Sequence, residues 1–249
     1  MFMKKYLFFF MVLLNHKNWA NLAINSFWNA TYNPVFSIQD ANAAFCALEN
    51  KYWITEWNNK AVGINFHKKE KYLLFQFEQK GNSKFAQNRI SCSFSKVLSP
   101  KLAMGLGGQI VYFHQAEFPT FNAHFKPFWG LSFTLNEDHI FYCSLSNQDF
   151  SSNRSEIPDQ LNTQWRYSIT EVFSSFISIE TGFYRPFTFR VFGILQPLPS
   201  LNLCLEINSS ESPIQFITNW KTKHLEYQLL NGYHQKMGVS NQLGIAYLW

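Results

Sequence analysis

Residues 89–112, RISCSFSKVLSPKLAMGLGGQIVY, contain two stretches in which apolar and polar side chains alternate. In the first stretch Ile90, Cys92 and Phe94 alternate with serines, and a turn at Pro100 separates it from the second. After the turn, large apolar residues alternate with alanine, glycine and glutamine. Because successive side chains of a strand point to opposite faces, this pattern predicts a β-hairpin with one strongly apolar face.

Similar segments recur from Tyr52 to the end of the sequence, and their spacing matches the ~9 to 11 residues of a tilted transmembrane strand. We expect strands near 52–57, 62–67, 73–78, 89–95, 102–112, 124–134, 141–145, 164–169, 175–184, 187–195, 201–208, 213–221, 224–231 and 239–249. Short turns alternate with longer connections, of which 146–162 is the longest. The pattern predicts an all-β fold, an antiparallel transmembrane β-barrel of about 14 strands, with 12 as the alternative even number.

Composition favours a barrel over a water-soluble β-sandwich, which would show the same alternation. Aromatic residues make up 18% of the sequence and charged residues only 15%, against about 25% charged in an average soluble domain. Mean hydropathy is nevertheless only −0.17, because the apolar residues alternate with polar ones. Aromatic faces on nearly every strand would promote aggregation in water, whereas they suit contact with lipid.

The amino-terminal residues have the order of a secretory signal peptide, which we assign to residues 1–20. Lys4 and Lys5 precede a nine-residue apolar run at 6–14, and cleavage is expected after Ala20 or Ala23. The run is too short to cross a bilayer as a helix, which takes about 20 residues. Removing the three leader lysines leaves 18 basic against 16 acidic residues, a balance that gives no support to nucleic-acid binding.

Between the leader and the predicted barrel, residues 21–50 lack a clear strand pattern and are partly helical in character. We expect this segment, which includes Trp28, Asn33 and Pro34, to lie in the lumen as a plug. Irregular backbone can be hydrogen-bonded there without meeting lipid. The barrel itself is then assigned to residues 51–249.

The closing strand indicates the location of the protein. Leu243, Ile245, Tyr247 and Trp249 form one apolar face and end in an aromatic carboxy-terminus. We expect this face to contact outer-membrane lipid and to be recognised by the barrel-insertion machinery. The predicted location is therefore the bacterial outer membrane.

Nine polar residues fall on the predicted lumen face. They are Glu78, Arg89, Gln109, Lys126, Arg166, Glu180, Arg190, Glu206 and Glu226. A lining that selects a charged solute would favour one sign of charge. The mixed signs favour salt bridges and hydrogen bonds across a filled interior instead.

No catalytic motif of the common hydrolases, phosphate-binding loops or metal sites is present. Six of the seven histidines lie beyond the predicted signal peptide and are scattered without a pairing pattern: His67, His114, His124, His139, His224 and His234. The glycines at 105, 107 and 108 lack the lysine of a phosphate loop and are expected to allow packing against an internal plug. We therefore expect no catalytic residue, no metal and no cofactor.

The four cysteines are Cys46, Cys92, Cys143 and Cys204. An exported protein meets an oxidising compartment, which permits disulfides. Three of the four lie within strand patterns and none has a metal-site spacing, so free packed thiols are favoured.

Several short motifs resemble the PorV/PorQ-like outer-membrane proteins of Bacteroidota, which are related in fold to FadL-type transporters. The motifs are Trp28 followed by Asn33 and Pro34, NKAVG at 59–63, KVLSPKLAMG at 96–105, RPF at 185–187 and YHQKMG at 233–238. The resemblance spans almost the whole predicted mature chain. Within that group, the chain is most similar to one short branch. Val35 stands where many relatives have alanine or glycine.

The resemblance implies a non-enzymatic accessory subunit of surface-protein export or assembly, associated with type IX secretion. Its expected partners are a larger secretion translocon or surface lipoproteins. The alternative is a FadL-like channel for a hydrophobic small solute, with the plug segment as a hatch. A second alternative is an outer-membrane barrel hydrolase.

Overall fold

The computed structural model describes residues 33–37, 42–52, 54, 58–115, 123–146, 160–182, 185–209, 214–234 and 236–249. The predicted signal peptide and Trp28 lie outside these residues. No helix among the described residues is long and apolar enough to cross a membrane.

Fourteen strands form one closed antiparallel barrel in which every strand pairs with its sequence neighbours. They are β1 (Ala43–Lys51), β2 (Asn59–Lys68), β3 (Lys71–Gly81), β4 (Phe85–Ser99), β5 (Leu102–Gln115), β6 (Ala123–Thr134), β7 (His139–Ser146), β8 (Gln160–Ser168), β9 (Phe173–Gly182), β10 (Arg185–Leu198), β11 (Leu201–Asn208), β12 (Ile214–Lys221), β13 (Leu225–His234) and β14 (Gly238–Leu248). Pairing of β1 with β14, from Ala43 opposite Leu248 to Lys51 opposite Ser240, closes the ring. The predicted fold class and the count of 14 are confirmed.

The first strand lies earlier than predicted. Residues 43–50, assigned to the plug segment, belong to β1 and pair with both β2 and β14. The strand expected at 52–57 is wrong where the structure describes it, because Tyr52 has a left-handed backbone with φ of 57° and Ile54 is outside any strand. The sequence AAFCALENK is rich in helix-forming residues, and its strand conformation is stabilised by pairing on both edges.

The barrel has two unlike ends. The end that holds Ala43 and the carboxy-terminus, here called the terminal end, carries the short turns between β2 and β3, β4 and β5, and every later even–odd pair. The opposite end, here called the loop end, carries the longest connections, including 116–122 and 147–159, together with short ones such as 82–84. This asymmetry is that of outer-membrane barrels, whose short turns face the periplasm.

Outward faces of the strands are apolar along most of the barrel. The predicted lipid-facing set on the last strand lies outward, with Tyr247 and Trp249 about half exposed and their rings stacked 5.9 Å apart. At the same end of β7 and β8, Trp165 donates a hydrogen bond to His139, whose ring also stacks on Tyr167. Such aromatic clusters are typical of strand ends at a membrane–water interface.

All four cysteines are free, as the sequence favoured. They lie on β1, β4, β7 and β11, none of which is adjacent to another in the ring. Three of them lie on outward faces, and only Cys204 is buried in the lumen.

Candidate functional site

The lumen at the terminal end contains a short piece of the chain itself. Pro34–Ser37 form one turn of 3-10 helix, and Asn33 Oδ1 accepts a hydrogen bond from the Val35 backbone at 3.1 Å. Ser95 on β4 donates its hydroxyl to the carbonyl of Pro34 at 2.6 Å. Asn33, Pro34 and Val35 are buried, so this seated segment, residues 33–35, fills space inside the barrel.

The wall beneath the seated segment is built from small side chains. Its inward-facing residues, here called the small-residue wall, are Ser91, Ser93, Ser95, Ala103, Gly105, Gly107 and Gly130. A Cβ at Gly105 would lie 2.8 Å from Pro34 Cβ, and one at Gly130 would overlap the Asn33 side chain. Gly105, one of the glycines expected to allow packing against an internal plug, therefore lies against residues 33–35.

The other two glycines of that triplet meet side chains of the barrel itself. A Cβ at Gly107 would overlap the Phe128 ring from β6. Gly108 faces outward against Phe125. Neither has a phosphate-binding geometry, because both lie within the continuous strand β5.

A second part of the lumen is filled by large apolar side chains. Its inward-facing residues on β9–β12, here called the large-residue wall, are Phe176, Phe192, Ile194, Cys204 and Ile217. They belong to one buried cluster that extends to Phe45, Leu74 and Leu248. The cluster gives the terminal half of the lumen an apolar interior.

Charged residues concentrate toward the loop end, where they form two networks on different walls. In the first, Arg89 lies 2.9 Å from Glu78, and Asn59 donates to Glu78 at 2.8 Å and to Glu49 at 3.4 Å. In the second, Arg190 lies 2.8 Å from Glu180 on the neighbouring strand. Each pair joins opposite charges across adjacent strands, so neither network presents one sign of charge to a solute.

All nine predicted lining residues lie on inward faces of their strands. Glu206 accepts a hydrogen bond from Asn208 at 2.9 Å, and the Arg166 guanidinium lies 5.7 Å from the centre of the Phe176 ring. Gln109 pairs with Lys126 in the β5–β6 register, and Glu226 is opposite Lys221. The nine therefore do not converge on one point but are distributed around the ring.

A row of buried amides on β11–β13 was not predicted from the sequence. Asn202 is opposite Asn219, which is opposite Gln228, and all three are buried. Among the described residues, neither side-chain polar atom of Asn219 has a hydrogen-bond partner. Alternation could have placed these side chains inward, but only the register between three strands brings them into one row.

The histidines bond mainly to backbone and aromatic groups. The ring of His234 accepts from the backbone of Lys236 and Met237, and that of His224 lies 3.3 Å from the Leu248 carbonyl. His67 stacks on Tyr72 and contacts the Lys69 carbonyl. Within the part of the chain that the structure describes, no group of three or more metal-ligating side chains is present.

No protein-family model matches this sequence, and comparison with curated proteins found no match. Solved structures do match the fold. The monoaromatic hydrocarbon channel CymD superposes with a TM-score of 0.68 over 90% of this chain and 94% of its own, at 8% sequence identity. The toluene transporter TodX of P. putida gives 0.67 over 88% of this chain and 92% of its own, at 9% identity.

A third match is the outer-membrane protein Omp33 of Acinetobacter baumannii, with a TM-score of 0.57 over 84% of this chain and 98% of its own, at 6% identity. At sequence identities this low, the likeness shows a shared fold alone. The chain therefore has the architecture of an outer-membrane β-barrel.

Proposed function

We propose that this barrel is an outer-membrane channel for small hydrophobic solutes, closed in this structure by the seated segment. The observation that carries the proposal is the contrast inside the terminal half of the lumen. One side is lined by the apolar large-residue wall, and the other holds a short segment against serine and glycine positions of the small-residue wall.

The contact between the seated segment and the small-residue wall has the properties of a reversible one. Ser95 donates a hydrogen bond to the backbone of the segment. Pro34 and Asn33 also pack against glycine positions of the wall. Displacing the segment would leave no strand pairing broken, whereas moving any part of the closed ring would break a ladder of hydrogen bonds.

The likeness to CymD and TodX supports a hydrophobic solute, because the first is a monoaromatic hydrocarbon channel and the second a toluene transporter. In this chain an apolar solute would meet Phe176, Phe192 and Ile217 at the terminal half. Transfer of apolar surface from water to these side chains is favourable.

The accessory-subunit hypothesis rests on the resemblance to PorV/PorQ-like proteins and stays a prediction from sequence. The hydrolase hypothesis has no support among the described histidines, since His67, His139, His224 and His234 contact backbone and aromatic groups. The channel is therefore the function that the lumen favours.

Uptake of a radiolabelled monoaromatic hydrocarbon by intact cells tests the proposal. Cells of a Gram-negative host that express the chain should take up the hydrocarbon faster than cells with an empty vector. Ile217→Asn, which places an amide on the large-residue wall, should lower that rate. Thr188→Asn, an inward-facing position near the loop end, is the matched control and should leave it unchanged.

Two results would contradict the channel proposal. One is uptake equal to that of the empty vector although the barrel is folded and inserted. The other is faster entry of a polar sugar of similar size than of the hydrocarbon. Recovery of the barrel with a large secretion translocon, together with unchanged uptake, would favour the accessory subunit instead.

A further inference from the structure

Strand pairing brings three lysines together at the terminal end of the barrel. Lys68 at the end of β2 is opposite Lys71 at the start of β3, and Lys71 is opposite Lys96 on β4. The two-residue turn between the first pair begins at Lys69, which has a left-handed φ of 57° as such tight turns require. Directly opposite residues on one face have Cβ atoms about 4.5–5.5 Å apart.

The three side chains lie on the outward face. Lys68 and Lys71 are exposed and Lys96 is partly exposed, in phase with the lipid-facing residues of their strands. The next outward row, two residues farther from the strand ends, is Phe66, Leu73 and Phe94, which are also opposite one another. The lysine row therefore borders lipid-facing apolar surface, about 7 Å along the strands.

Like charges on directly opposite residues destabilise a sheet unless a counter-charge lies between them. Lys69 and Lys101 in the adjoining turns add two more positive charges, and Glu70 is the one carboxylate in these two turns. Among the residues that the structure describes, no ion pair joins Glu70 or any other acid to the three-lysine row.

Among the described strand pairs, lysine is opposite lysine only in this sector of the terminal end. The turns between β6 and β7 and between β8 and β9 carry acids, with Glu137 and Asp138 in the first and Glu171 in the second. The turn between β12 and β13 also has two lysines, but there Lys221 is opposite Glu226. The arrangement fits a discrete anion held at one place on the rim.

We infer that Lys68, Lys71 and Lys96 form a binding site for the headgroup phosphate of an anionic phospholipid in the leaflet that meets the terminal end. The phosphate accepts hydrogen bonds from the ammonium groups and relieves their repulsion. The acyl chains lie along Phe66, Leu73 and Phe94, which a free phosphate ion would leave uncovered. This site depends on the barrel being in a membrane and not on what passes through its lumen.

Native mass spectrometry of the full chain, titrated with phosphatidylglycerol or phosphatidylcholine of equal chain length, tests the inference. The wild type should bind one phosphatidylglycerol more tightly than further copies and more tightly than phosphatidylcholine. A lysine near a membrane surface contributes about 1 kcal/mol, or about fivefold in affinity. The triple variant Lys68→Gln, Lys71→Gln, Lys96→Gln should therefore lose about a hundredfold, and Lys71→Gln alone about fivefold.

The matched control removes three lysines outside the row. Lys60, Lys84 and Lys223 have exposed side chains, and their replacement by Gln changes the net charge equally. The control variant should retain the tight copy, and all variants should keep the heat-modifiable migration of a folded barrel. Equal loss in the two triple variants would overturn the site, as would equal affinity for the two lipids. Full competition by inorganic phosphate at the same concentration would overturn its assignment to a lipid.

Discussion

Two walls of the same lumen use opposite side-chain sizes. The small-residue wall on β4–β6 leaves room that residues 33–35 occupy, whereas the large-residue wall on β9–β12 fills its own share of the interior. Both walls are antiparallel strands of the same ring with the same alternation. The inward residues, and not the barrel architecture, therefore decide which part of the interior can be vacated.

The largest effect is expected from removing a side chain of the large-residue wall. Phe176 is 2% exposed and packs edge-on against Phe192 at 6.4 Å between ring centres. Phe176→Ala should lower the free energy of unfolding by about 3–5 kcal/mol, because the cavity remains unfilled. Urea unfolding of the barrel in detergent measures this loss.

Phe189→Ala on the outward face of the adjacent strand is the control for Phe176→Ala. Its loss should be smaller, since lipid or detergent chains replace the missing ring. Equal losses at the two positions would show that the large-residue wall is not a packed interior.

The charge networks above the two walls differ in how deeply they are buried. Arg89 and Glu78 are both largely buried, while the Arg190 side chain is 35% exposed. Glu78→Gln should cost about 2 kcal/mol because it leaves a buried guanidinium with weaker compensation. Glu180→Gln should cost about 1 kcal/mol or less, because water solvates its partner.

The same urea unfolding, at low and at high salt, separates these two pairs. High salt should reduce the cost of Glu180→Gln more than that of Glu78→Gln. The reverse order of costs, or of salt sensitivity, would contradict the burial difference between the networks.

A Cβ at Gly105 tests the small-residue wall directly. Gly105→Ala should lower the free energy of unfolding by about 1–2 kcal/mol, because the added methyl would lie 2.8 Å from Pro34 and 2.5 Å from Ser95 Oγ. In a chain that lacks residues 33–37, the Ser95 hydroxyl has lost its Pro34 acceptor and can rotate away, so the same substitution should cost clearly less. Gly193→Ala is the matched control, since its Cβ would have ordinary contacts 3.6 Å from Phe173. An undiminished cost after the deletion would show that the clash is with the barrel wall and not with Pro34.

The smallest effect is expected from the hydrogen bond that holds the segment. Ser95→Ala should lower stability by about 1 kcal/mol, the usual net value of one such bond. A double-mutant cycle with the 33–37 deletion should give a coupling energy of the same size. A coupling energy of zero would mean that the Ser95 hydrogen bond does not stabilise the placement of residues 33–37 in the lumen.

Alternation in the sequence was sufficient to predict which faces point inward. All nine lining residues and the four of the closing strand lie where a period of two places them. The turn residues were also informative, since the predicted strand regions from β2 to β14 match the observed strands closely. These features are local, so one sequence contains the information that fixes them.

Features that depend on pairing between strands were not predictable in the same way. The strand character of Ala43–Lys51 comes from its pairing with β2 and β14, which its alanine-rich sequence does not reveal. The placement of Pro34 against Gly105 and Ser95 joins residues more than 60 positions apart. The amide row at Asn219 and the lysine row at Lys71 likewise depend on the register of three strands.

Conductance in planar bilayers tests most directly the claim that the seated segment closes the lumen. Gly105→Val combined with Gly130→Val should displace Pro34 and Asn33 and give frequent ion-conducting openings, as should deletion of residues 33–37. The wild type and Gly193→Val should stay mostly closed. A double variant that is folded by heat-modifiable migration and conducts no more than the wild type would contradict the account.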